Sequence, residues 1–122
     1  MISILLIHDD PLVQRGLAML LEAQPGYHVE RTVAGPERAL AKLSDRSYDV
    51  VLVDIDSDAL FDLVCSRHIQ RASPGSLLFL TSNHVDDRRR AMASEVGAVA
   101  LVLKRPDVYE FVDLIEGRLA GF

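Results

Sequence analysis

Asp54 closes the run Tyr48-Asp49-Val50-Val51-Leu52-Val53-Asp54, whose four consecutive aliphatic residues, three of them β-branched, predict a strand buried on both faces. A carboxylate at the carboxyl end of such a strand does not serve packing, so it is a candidate for chemistry. Three other apolar runs end in groups suited to phosphate or metal. Ile4-Leu5-Leu6-Ile7 leads into His8-Asp9-Asp10, Leu77-Leu78-Phe79-Leu80 into Thr81, and Ala100-Leu101-Val102-Leu103 into Lys104. Carboxylates gathered at one mouth repel, by roughly 4 kcal/mol for a pair about 4 Å apart at an effective dielectric near ~20. A hard divalent ion offsets that repulsion: Mg²⁺ is commonly held by one or two protein carboxylates, with waters and a phosphate oxygen completing an octahedron. With such an ion and Lys104 present, Asp54 can attack phosphorus and form an aspartyl phosphate. The Thr81 hydroxyl and Lys104 would help to neutralise the equatorial oxygens.

The elements that must bring these residues together follow from the apolar pattern. A first strand over Ile2 to Ile7 is followed by Asp10-Pro11, an N-cap acid with proline at the first helical position. Leu12, Leu17, Leu20 and Leu21 recur at helical spacing until Gln24-Pro25-Gly26 stops the helix. Tyr27 to Val33 predicts a strand at or near a sheet edge, and Gly35-Pro36 opens a helix striped by Ala39, Leu40 and Leu43, with a polar turn from Ser44 to Ser47. After Asp54 the acidic loop Ile55 to Asp58 precedes a helix carrying Leu60, Leu63, Val64 and Ile69, and Ala72-Ser73-Pro74-Gly75 breaks it before the strand Leu77 to Leu80. Asp86-Asp87 places two negative charges in the first turn of the next helix, where the macrodipole favours them, and Gly97 suits its C′ position. Ala100 to Leu103 is the last strand, and Val108, Phe111, Val112, Ile115 and Leu119 form an amphipathic last helix.

Strand and helix alternate through about five repeats, so the fold class is α/β: a doubly wound, five-stranded parallel sheet in flavodoxin-like order 2-1-3-4-5, with helices on both faces. Ligands in such sheets bind at the carboxyl ends of the strands flanking the topological switch point, here His8-Asp9-Asp10 and Asp54.

Composition narrows the function. The 122 residues form one domain, with a core of ordinary size, no internal repeat and no low-complexity tract. A net charge of −5 argues against a segment that holds nucleic acid by itself, because backbone phosphates need a basic face. The single cysteine, Cys65, excludes an intramolecular disulfide and fits a reducing compartment. No run approaches the roughly 20 apolar residues of a membrane span, and the apolar start lacks the basic region of a signal peptide, so a cytoplasmic location is expected.

Along its whole length the chain resembles a receiver domain of two-component response regulators, the CheY-like family. Its opening, Ile4-Leu5-Leu6-Ile7-His8-Asp9-Asp10-Pro11-Leu12-Val13-Gln14-Arg15-Gly16-Leu17, is similar to receivers of LuxR/NarL type that precede helix-turn-helix DNA-binding domains. The resemblance places the phosphoacceptor at Asp54, the switch hydroxyl at Thr81 and the family's lysine at Lys104. It also implies direct metal ligands at Asp9 and Asp54, Asp10 nearby, the backbone carbonyl of Asp56 facing the ion, and Mg²⁺ or Mn²⁺ as the cofactor. The implied partner is a histidine kinase or phosphotransfer protein, with no membrane contact and with DNA reached only through an output domain outside this chain. Homodimers, if formed, would use the helices flanking the fourth and fifth strands. The domain would be a signalling phosphoacceptor rather than an enzyme, serving transcription regulation.

Several residues depart from the family pattern. His8 occupies the first of the two usual acidic positions, and the loop after the phosphoacceptor reads Ile55-Asp56-Ser57-Asp58-Ala59-Leu60-Phe61-Asp62, without the usual proline and glycine. The extra carboxylate of Asp56 either strengthens metal binding or repels incoming phosphate. Leu101 stands where the family has its switch Tyr or Phe. These departures support an alternative, a degenerate receiver acting as a phosphorylation-independent interaction module. A third reading rests on Asp54-Ile55-Asp56, which resembles the Asp-x-Asp opening of haloacid-dehalogenase-type phosphatases; against it, the other acids precede Asp54, little chain follows Lys104 and no insertion could form a cap. Cys65 reads as core, Arg88-Arg89-Arg90 as a solvated helix face and His84 as exposed loop.

Overall fold

The computed structural model describes residues 1–7, 11–32, 36–56, 59–103 and 108–120; the side chains of residues 11, 36, 37, 59–65, 108 and 109 lie outside that description. Five strands and five helices alternate: β1 (Ile2–Ile7), α1 (Pro11–Glu22), β2 (Tyr27–Thr32), α2 (Pro36–Asp45), β3 (Val50–Asp54), α3 (Ala59–Ala72), β4 (Leu77–Ser82), α4 (Asp87–Glu95), β5 (Ala100–Leu103) and α5 (Val108–Leu119). All paired strands are parallel, and the sheet order is β2-β1-β3-β4-β5, as the strand and helix alternation predicts. The switch point therefore falls between β1 and β3.

Successive residues of the central strands feed two separate cores, because strand side chains alternate between faces. Val50, Leu52 and Phe79 pack with Leu17, Ala18 and Leu21 of α1 and with Phe111, Val112 and Ile115 of α5. Val51, Val53, Leu78 and Leu80 pack on the other face with Ala39, Ile69, Ala93 and Val96. The Phe79 and Phe111 rings meet edge to face with centroids 5.1 Å apart, which ties α5 to the middle of the sheet. Burying these branched and aromatic side chains contributes about 1.5–3 kcal/mol each before entropy is subtracted.

In α1, the leucine spacing misplaces the buried face. Leu12 is 81% exposed and Leu20 is 51% exposed, whereas Gln14, Leu17, Ala18 and Leu21 turn inward. Gln14 is drawn in by hydrogen bonding: its amide nitrogen donates to the Thr32 carbonyl at 2.7 Å and to the Leu6 carbonyl at 3.4 Å, joining the carboxyl ends of β1 and β2. Other boundaries also differ by a few residues. The helix α2 runs on to Asp45, β3 begins at Val50 rather than Tyr48, and β4 continues through Thr81 and Ser82. Asp86 is the N-cap of α4, accepting from the Arg89 amide, and only Asp87 lies in the first turn. Gly97 follows the helix with φ +77°, a conformation that glycine adopts without a Cβ penalty.

At the opposite end of the sheet a polar clamp sets the register of β3. The Asp49 carboxylate accepts from the Ser3 amide at 2.9 Å and from the Ser3 hydroxyl at 3.2 Å, while the Asp49 amide donates to the Ser3 carbonyl at 3.0 Å. The Asp49 carbonyl in turn accepts from the Leu77 amide at 2.9 Å, so one residue joins β1, β3 and β4. At the β2 side, Glu30 accepts from the Tyr48 hydroxyl at 2.6 Å and from the Arg46 guanidinium at 2.9 Å, and Arg46 lies over the Tyr48 ring. The Tyr48 hydroxyl holds the Glu30 carboxyl below its usual range, with Arg46 and Lys42 acting in the same direction.

Two measurements check these placements. Asp49→Ala leaves the Ser3 donors without that acceptor and is expected to lower the unfolding free energy by about 1–3 kcal/mol in urea titration. Burial, reinforced by Glu30, pushes the Tyr48 phenol up to about 12, and burial with Glu116 does the same for Tyr27. Because the folded state keeps protons that an unfolded tyrosine releases near ~10, this stabilisation is intact below pH ~10 and is lost as pH rises towards ~12. Ultraviolet titration should find two tyrosines ionising late, and Tyr48→Phe should remove one of them.

Candidate functional site

The site is built from the ends of β3 and β4. The register sets Asp54 opposite Thr81, and both side chains fall on the α1 and α5 side of the sheet by the alternation that sends Leu52 and Phe79 there. The two are almost fully buried, with Asp54 at 5% and Thr81 at 4% exposure. The Thr81 hydroxyl donates to Asp54 Oδ1 across 3.5 Å, a long bond that leaves the hydroxyl room to approach a group attached to the carboxylate. Thr81 also borders a small apolar gap between Leu17, Leu52, Val102, Leu103 and Phe111. The β1 end belongs to the same edge, since Ile7 pairs with Val53, the residue before Asp54.

Just beyond β3 the backbone continues the ladder, the Ile55 amide donating to the Thr81 carbonyl at 3.0 Å. Asp56 then turns its carboxylate to the loop that follows β4. Its Oδ1 accepts from the Ser82 hydroxyl at 2.5 Å and its Oδ2 from the Asn83 amide at 2.7 Å. The Ser82 oxygen also accepts from the His84 amide at 3.1 Å, so the carboxylate and hydroxyl together organise three residues of the turn. Ser82 is wholly buried, and no sequence signal marked it: a serine after a strand is common, and its importance arises only from a neighbour 26 positions away.

The structure brings Asp54, Thr81 and Asp56 to one edge. His8, Asp9, Asp10 and Lys104 lie outside the described residues. Leu101 pairs with Leu80 and packs partly buried against the core on the α4 side. It borders an open groove of about 370 Å³ whose other walls include Arg90, Ala93, Ser94, Ala98 and Ala100, mostly small side chains. His84 is exposed, as expected. In the arginine run, Arg89 pairs with Asp86 and Arg90 with Asp87, each three residues apart on the surface of α4. Cys65 falls within α3, with its side chain outside the described residues.

A buried carboxylate and hydroxyl lie side by side on adjacent parallel strands of a doubly wound domain, at the carboxyl edge beside the switch point. The chain belongs to the response regulator receiver domain family, whose model matches residues 4–116. Among curated proteins it is 28% identical over 121 residues to the transcriptional regulatory protein LiaR of Bacillus subtilis, covering 99% of this chain and 57% of that protein. The chain thus spans little more than half the length of that relative. Among solved structures, a LuxR-family two-component response regulator from Aurantimonas sp. superposes with a TM-score of 0.84 at 29% identity, over 98% of this chain and 85% of that one. A CheY-like receiver from Methanospirillum hungatei gives 0.83 at 21% identity over 98% and 94%, a likeness of fold.

This domain is therefore a response regulator receiver related to LuxR/NarL-type regulators, a signalling module rather than an enzyme of ordinary kind. No helix among the described residues is long and apolar enough to cross a membrane. The groove beside Leu101 makes one expectation measurable. Its small walls leave space for a ring, so Leu101→Tyr should change the unfolding free energy by less than about 1 kcal/mol, where overpacking of a closed core costs about 1–3.

Proposed function

We propose that Asp54 accepts a phosphoryl group from the phosphohistidine of a histidine kinase or phosphotransfer protein and that the resulting acyl phosphate switches an output domain or partner, in transcription regulation. The observation that carries this reading is the pairing of buried Asp54 with Thr81 at the carboxyl edge of β3 and β4. A carboxylate oxygen of Asp54 attacks phosphorus, the P–O bond forms as the P–N bond breaks, and the departing imidazole retains the electron pair and takes up a proton. Thr81 donates its hydroxyl to an equatorial phosphoryl oxygen, and Lys104 supplies a positive charge to another.

Oxygen donors fit a hard divalent ion. Asp54 offers a carboxylate, the β1 end paired beside it leads in sequence to Asp9 and Asp10, and Asp56 offers its backbone carbonyl. Mg²⁺ or Mn²⁺ bound there would neutralise the carboxylates and the incoming phosphoryl group. The Asp56 carboxylate is not needed among these ligands, because Ser82 and Asn83 already engage both of its oxygens. That engagement also weighs against the phosphatase reading, in which the second acid must exchange protons with a leaving group. The reading as a phosphorylation-independent module draws on Leu101, an aliphatic residue bordering an open groove where the family resemblance leads one to expect a ring.

Intact mass after incubation with Mg²⁺ and acetyl phosphate or phosphoramidate decides between them. The expected result is one added phosphoryl group, absent in Asp54→Asn and formed more slowly in Thr81→Ala. No adduct across a range of metal and donor concentrations would favour the unphosphorylated module. Steady hydrolysis of phosphate monoesters that is lost in Asp56→Asn would favour the phosphatase.

A further inference from the structure

The helix α4 is seated lightly. Ala93 is the one buried residue within it, and Val96 adds a second anchor just past its end. Open grooves flank it on both sides. One, of about 370 Å³, separates it from β5; the other, of about 320 Å³, lies towards α3 between Arg67, Gln70, Arg71 and Ser94. A helix with so little buried apolar surface cannot fix its own position by packing, because its stability in a protein comes mainly from its buried face. Its place must be set at its ends.

The amino end is where the bonds are. Asp86 caps the helix, accepting from the Arg89 amide at 2.8 Å, and the turn before it is tied to the end of β3 by Asp56. The tie consists of two hydrogen bonds to one carboxylate, a class stronger than bonds between neutral groups when the acceptor is charged. It reaches the candidate site through one peptide link, since Ser82 follows Thr81. An approach of the Thr81 hydroxyl to a group on Asp54 that shifts the β4 backbone is carried to Ser82, whose oxygen is held at 2.5 Å by Asp56 and also serves the His84 amide.

We propose that Asp56 is a positioning residue: through Ser82 and Asn83 its carboxylate moors the β4–α4 turn, holding both the Thr81 hydroxyl and the amino end of α4 in the arrangement of the unmodified protein. Movement of Thr81 towards a phosphoryl group on Asp54 requires these bonds to be exchanged, so Asp56 sets how readily the domain switches. The last statement rests on the phosphoacceptor reading; the mooring itself does not.

Amide hydrogen exchange of the unmodified protein therefore tests the mooring without phosphate. In Asp56→Ala the amides of Asn83 and His84 and those of the first turns of α4 should exchange about tenfold faster or more. Those of β1 and β3 should keep their protection. Asp56→Asn, which retains one acceptor, should show a smaller increase in the same segment. Ser82→Ala breaks the tie from its other end without altering the acid; it should reproduce the effect at His84 and α4, and the double variant should add little to either single one. Unchanged exchange over residues 83–90, or a rise shared equally with β1 and β3, would overturn the mooring; if Asp56→Ala does not fold, the same criteria apply to Ser82→Ala.

A second readout addresses the coupling to Thr81. In the Asp56 and Ser82 variants, amide resonances of Thr81 and α4 in the unmodified protein should lie part of the way towards their positions in phosphoramidate-treated wild type. Resonances that stay in place, or move in unrelated directions, would sink the coupling. Failure of the phosphoacceptor reading is recognised separately, by the absence of a mass adduct on wild-type protein.

Discussion

The register between β1, β3 and β4 is the constraint on which the site depends. Every residue of β3 is buried, so a slip by one position would exchange its two faces and send Asp54 to the side now occupied by Val53. Thr81 would then face an aliphatic side chain. Apolar packing alone discriminates weakly against such a slip in β3, since Val50, Val51, Leu52 and Val53 are similar in size and could exchange faces at small loss. The directional bonds between the Asp49 carboxylate and Ser3 remove that ambiguity. A polar residue at the far end of the strand thus decides which face presents the carboxylate.

The same division of labour explains what was legible in the sequence. Apolar runs of four to six residues announced each of the central strands; the regular alternation with helices implied a parallel sheet, and the order matches the common doubly wound arrangement of five strands. The pairing of Asp54 with Thr81 followed in turn, because equivalent ends of parallel strands lie side by side. Orientation around a helix axis was less accessible. In α1 several leucines compete for one buried stripe, and the choice falls to Gln14, whose amide satisfies carbonyls at the ends of β1 and β2. Counting leucines cannot reveal this, since the deciding energy is the cost of leaving those carbonyls without a donor. Ser82 was hidden for a related reason: its partner is remote in sequence and its own side chain is small and common.

Asp56 shows how a local sequence question can have a non-local answer. Viewed along the chain it is a second acid two residues from the first, and its carboxylate has only metal or phosphate to respond to. In the folded domain it has hydroxyl and amide donors from another strand's turn, at 2.5 and 2.7 Å. Such donors stabilise an ionised carboxylate without any cation. The two acids are thereby divided in place: Asp54 lies buried beside Thr81, and Asp56 joins the end of β3 to the turn after β4.

This division bears on how a receiver lacking an aromatic at position 101 could transmit a change. A ring at that position would have the reach to link Thr81 with the surface beside α4 and β5 by filling or vacating space. Leu101 is too short to do so, and the groove around it is already open. The route that remains runs through the backbone: Thr81 is bonded to Ser82, Ser82 to Asp56, and the turn they organise leads directly into the capped end of α4. A helix anchored by Ala93 and Val96 offers little resistance to displacement at that end. Weak packing of α4 and a strong polar tie before it are therefore complementary features: the first makes the helix movable, and the second gives it a defined place from which to move.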